Sequence, residues 1–89
     1  MLLHPIPLKI FEPTESMVAM MNEGFEIDPL QGVPIIKRFY QIENISRYSD
    51  SYPSITAFSS GGIEYVVDID VEELENIIYQ YMVRFIILN

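Results

Sequence analysis

Hydrophobic and polar positions change their period along this chain, and each change marks an element. Ile63, Tyr65, Val67 and Ile69 alternate with Glu64, Val66 and Asp68, the period of two expected of a strand with one packed face. Upstream, Ile55 to Phe58 is a second β-branched and aromatic run. Only Ser59-Ser60-Gly61-Gly62 separates the two, so the pattern predicts a β-hairpin around a short glycine-containing loop. After Ile69 the period becomes helical. Val71, Leu74, Ile78, Tyr81 and Phe85 form one stripe, widened by Ile77. Asp70 is placed to cap this helix and Glu73 completes a capping-box pattern. Ile69 and Leu74 stand at hydrophobic-staple spacing, and acidic residues crowd the first turn, where they favour the positive end of the helix dipole. The predicted helix runs from Val71 to about Arg84.

The N-terminal half is less regular. Pro5, Pro7 and Pro13 punctuate it, leaving Leu8 to Phe11 as a short strand. Proline donates no ladder hydrogen bond, so an edge position is expected there. Thr14 can cap a helix over Glu15 to Glu23 that stops at Gly24, with Met17, Met20 and Met21 at helical spacing and Val18 off that stripe. Phe25 to Pro34 is expected to be a loop, since Asp28-Pro29 and Gly32 are turn signals. Val33 to Gln41 is extended in character, with strand propensity trailing off through Ile45, and Ser49 to Pro53 is a polar connection. The sum is an α+β fold in one domain, residues 1–89: a small antiparallel sheet of hairpin or meander type, packed by a C-terminal amphipathic helix, with a short N-terminal helix.

The hairpin at Gly61-Gly62, the strand Glu64-Tyr65-Val66-Val67 and the glutamate-rich helix start give residues Ile35 to Ile78 an order, strand, strand, helix, that resembles small flagellar proteins of the FlbD type. The Asn-Gly turn that opens that family is missing here, and no membership is assigned.

Composition narrows the function. Lys and Arg number 5 against 13 Asp and Glu, a net charge of −8, so general nucleic-acid binding, which needs basic surface to displace phosphate counterions, is not expected. Cysteine is absent, which removes disulfides, thiolate nucleophiles and cysteine metal sites. Met1 to Phe11 has no basic leader, and prolines interrupt it, so it does not read as a signal peptide. No apolar run reaches the ~18–20 residues of a membrane span. A soluble, cytoplasmic chain is expected.

Candidate chemistry is sparse. Asp68-x-Asp70-x-Glu72 resembles the opening of a calcium loop, but position six of that register is Glu73 rather than glycine, and position twelve is Tyr79 rather than glutamate. A strand residue plus a helix cap explains the same carboxylates. Glu72, Glu73 and Glu75 read as a solvated helix start rather than an acid–base pair. His4 is the single imidazole, near a terminus. Ser59-Ser60-Gly61-Gly62 joins strands instead of opening a helix, so it lacks the dipole of a phosphate cradle. No catalytic residue, metal or cofactor is assigned. Lys37, Arg38 and Arg47 interleave with Phe39, Tyr40 and Tyr48, a pattern that could stack single-stranded bases, but three bases in so acidic a chain read better as solvent-facing side chains.

Two features remain. Residues 48–83 carry seven acidic side chains and no basic one, which suits a basic partner. Fourteen isoleucines, five methionines and eleven aromatics exceed what a core of this size encloses. The tail Met82-Val83-Arg84-Phe85-Ile86-Ile87-Leu88 is apolar almost all round, fitting either a strand beside Leu2 to Leu8 or a contact with another chain. The expectation is a small acidic, non-enzymatic protein-binding or regulatory domain, homodimeric through Met82, Phe85, Ile86, Ile87 and Leu88. Its partner face would be Glu72, Glu75, Asn76 and Tyr79. The alternatives are an acidic inhibitor of phage or mobile-element type that occupies a nucleic-acid cleft by charge mimicry, and a small-ligand or divalent-metal module using Asp68 and Asp70.

Overall fold

The computed structural model describes residues 4–88, with side chains described for residues 4–82. Five strands, β1 (Ile6–Glu12), β2 (Val33–Phe39), β3 (Glu43–Ser49), β4 (Tyr52–Ser60) and β5 (Ile63–Val67), form one antiparallel sheet in the order β2-β1-β5-β4-β3. Helix α1 (Glu15–Asn22) lies between β1 and β2, and α2 (Val71–Leu88) follows β5. The chain is an α+β fold, as expected from its pattern.

Connectivity dictates the shape of the sheet. β2 and β3 occupy opposite edges, yet only Tyr40, Gln41 and Ile42 join them. Laid flat, five strands would hold the edges about 19 Å apart, four spacings of about 4.8 Å. The step from Phe39 to Glu43 covers at most about 14 Å. The sheet must therefore curl until its edges approach. Inside the curl lies the core of Ile6, Leu8, Ile10, Phe39, Phe58 and Val67. Register puts these on one face: Ile6 is opposite Phe39, and Val67 is opposite both Ile10 and Thr56. The rings of Phe39, Phe58 and Tyr65 meet with centroids 4.9, 5.0 and 5.7 Å apart, which adds specific geometry to apolar burial. Thr56 is fully buried in this face, and its hydroxyl donates to the Ile69 carbonyl at 2.6 Å. That bond satisfies the hydroxyl and fastens the β5–α2 junction to β4.

The hairpin and the C-terminal helix form as the pattern predicts. Gly61 and Gly62 have φ of 60° and 82°, the two positive values that a two-residue turn of type I′ requires. The N–H of Glu73 donates to Asp70 Oδ1 at 2.8 Å, and that of Leu74 to the Asp70 carbonyl at 3.0 Å. Leu74 is fully buried, and Ile69, Ile77, Ile78 and Tyr81 pack on the same core. Burying Leu74 contributes about 2 kcal/mol.

Three expectations need correction. β1 is not an edge strand: it lies between β2 and β5. The proline rule still holds locally, because β5 meets β1 only at Ile10, opposite Val67, and Pro7 sits where β1 has a single neighbour. The strand propensity that weakens after Gln41 is in fact two strands, β2 and β3, with a turn at Asp50 and Ser51 leading into β4. The apolar tail is not a strand beside Leu2 to Leu8, since α2 continues four residues past Arg84 to Leu88. Among the described residues no helix is long and apolar enough to cross a membrane.

Candidate functional site

The face predicted to hold a partner is brought together by α2. Glu72, Glu75, Asn76 and Tyr79 are all exposed, Tyr79 by 67%. At about 100° per residue they fall within one sector opposite Leu74. Of the residues predicted to self-associate, Met82 is 48% exposed; the side chains of Phe85, Ile86, Ile87 and Leu88 lie outside the described residues. Asp70 is used as a cap, and the strand-end Asp68 is exposed. Among the described residues no three His, Asp or Glu side chains gather as a metal cluster would require.

A second site was not foreseen. It is built by the connection between β1 and β2. Thr14 accepts from the N–H of Met17 at 3.3 Å and starts α1. The helix ends in a Schellman motif, in which Gly24 N–H bonds the Met21 carbonyl and Phe25 N–H that of Met20, with Gly24 at φ 92°. This turn sends the chain toward the β3–β4 hairpin. There Glu26 accepts from the hydroxyls of Ser49 (2.5 Å) and Ser51 (3.2 Å), and Tyr48 donates its hydroxyl to the Ile27 carbonyl at 3.3 Å. Asp28 then caps a 3₁₀ turn at Pro29–Gln31 through the N–H of Leu30. The connection is thus held at both ends and leaves a groove of about 460 Å³ between α1 and β5.

Met17 and Met21, one helical turn apart, line one wall, and Ile63 to Val66 line the other. Met17 is buried, whereas Met21 and Ile63 are 43% and 58% exposed. Glu12, Glu64, Tyr48 and Ile27 also line the groove. Tyr48 reports the local potential. Its hydroxyl is held above its ordinary pKa by partial burial first, then by Glu26, Tyr52, Glu64 and Asp28, which disfavour a further negative charge. One cation stands at the side. Lys37 Nζ donates to the Tyr65 hydroxyl at 3.0 Å and lies 4.9 Å from its ring centroid. That bond raises the Lys37 pKa, helped by Glu12, so its ammonium stays charged at neutral pH. Phe39, next to the basic residues in the sequence, is buried in the core, which removes it from any stacking surface. A smaller cavity of about 390 Å³ lies between β1 and the start of α2, lined by Lys9, Phe11, Asp68 and Ile77 among others.

The methionine spacing was legible in the sequence, but its opposite wall is more than forty residues away and carried no signal. Comparison with protein-family models finds no match, and neither the curated proteins nor the solved structures yield a relative of this chain.

Proposed function

We propose that this chain is a non-enzymatic protein-binding domain that self-associates and holds a partner on the acidic face of α2. The observation that carries the reading is the apolar surface that β2 leaves exposed. On β2, an edge strand, Val33, Ile35 and Ile36 are 52%, 36% and 67% exposed. Single exposed apolar residues are ordinary. Val33 and Ile35 share the face of Ile10 and Ile36 lies on the opposite one, so on a strand with one open backbone edge they offer hydrogen-bonding groups flanked by apolar area on both faces. A second copy supplies the same strand, so antiparallel pairing of β2 with its symmetry mate would join two sheets across a two-fold axis. In this reading β2 is the main self-association surface, and the Met82 region of α2 is a further contact. Glu72, Glu75, Asn76 and Tyr79 remain open to a partner in both states.

Light scattering across protein concentration tests the first half: a dimer is expected, with Ile36→Lys giving a monomer of unchanged circular dichroism. A monomer at every concentration would refute self-association. For the partner face, Glu72→Lys together with Glu75→Lys should abolish capture by the immobilised domain without altering the fold, and undiminished capture would remove that assignment.

A further inference from the structure

We propose that the groove between α1 and β5 receives a short basic segment of a partner protein, an apolar anchor side chain flanked by Lys or Arg. This goes beyond the α2 face, from which it is separate in sequence and in the elements that build it. Three observations carry it. The groove, about 460 Å³, is of a size that takes a few side chains rather than a folded domain. Its walls are apolar at Met17, Met21, Ile63 and Val66, and unbranched methionines adapt to anchors of different shape. Its surroundings are acidic: Glu12 and Glu64 line it, and Glu26, Asp28 and Glu64 all act on Tyr48, which also lines it.

Lys37, beside Tyr65 and Glu12, offsets only part of this charge. An acidic peptide would be repelled by Glu12 and Glu64 and a neutral one would gain nothing from them, whereas a basic flank meets them directly. Glu26 accepts from the hydroxyls of Ser49 and Ser51, so neutral donors rather than a cation hold it in place. Because the connection is fastened before any ligand arrives, little ordering remains to oppose binding.

The test is selection of random peptides of about twelve residues against the full chain, followed by anisotropy titration of the enriched sequence made synthetically. Enrichment of Leu, Phe or Met next to Lys or Arg is expected. Met21→Ser with Ile63→Ser should weaken that peptide about tenfold or more, as removal of anchor contacts does, and Glu64→Lys should do likewise. All three positions are exposed, and circular dichroism checks that the variants fold. Glu73→Lys with Gln80→Lys, a larger change in net charge at exposed α2 positions outside both proposed sites, should leave affinity within about twofold, since distant exposed charges are screened. No enrichment, enrichment of sequences without basic residues, or equal loss in the α2 variant would overturn the proposal. Dimerisation and its response to Ile36→Lys are measured separately, so failure here is distinguishable from failure of the reading above.

Discussion

At Gly32 the absence of a side chain lets the end of β1 and the start of β2 meet. A Cβ built there would lie 2.4 Å from the Glu12 carbonyl oxygen and 3.2 Å from that of Pro29. Both obstacles are backbone, so neither can swing aside. Gly32→Ala should destabilise the fold by about 1–3 kcal/mol, the usual cost of overpacking, read as a lower urea midpoint. Gly24 is constrained differently: open space surrounds its Cβ position, and only its φ of 92° demands glycine. Tyr48 links stability to pH. Its folded pKa is raised, so the unfolded chain releases this proton at lower pH than the native one. The stabilisation is complete below the unfolded value of about 10 and is lost as pH rises through the folded one. Between about pH 8 and 11, melting temperature should therefore fall less steeply in Tyr48→Phe than in the parent. At the lower pH the variant should melt earlier, because it lacks the bond to Ile27. Parallel curves would remove Tyr48 from the alkaline transition.

Among the elements, α2 and the β4–β5 hairpin were legible because their signals are local. Asp70, Glu73 and Leu74 lie within five residues, and the cap bond to Glu73 forms as their spacing predicts. Asp70→Ala should cost about 1 kcal/mol in chemical denaturation, and Asp70→Ser should restore most of it. β3 was hidden for an equally local reason. Asn44 has φ 53°, and the register with β4 shifts between Glu43 and Ser46 and again between Arg47 and Ser49. Each irregularity breaks the alternation by which a strand is recognised. β1 was misplaced for the opposite reason: its prolines signal an edge, but its position depends on β5, whose pairing with it is confined to Ile10 and Val67. An isolated run cannot reveal which strand will arrive beside it.

Across the entire fold, charge separates the two kinds of association. Two chains of net charge −8 repel, so a dimer held by apolar strand edges should tighten as salt screens that repulsion. Capture of a basic peptide by Glu12 and Glu64 should weaken over the same range, because screening removes attraction. Light scattering and anisotropy measured in low and high salt should move in opposite directions. A dimer that dissociates in salt would show that charge, not the β2 edge, holds it.

Local pattern was enough to establish the α+β class, both helix caps, the glycine turn and the acidic exposed face of α2, because each depends on residues a few positions apart. The strand order, the central position of β1, the bond from Thr56 to Ile69 and the groove between Met21 and Ile63 depend on segments far apart in the chain. They arise when a three-residue link forces two sheet edges together and buries one face of every strand. Periodicity states which side chains want to be covered; the curl of the sheet decides what covers them and which, like Ile36, are left outside.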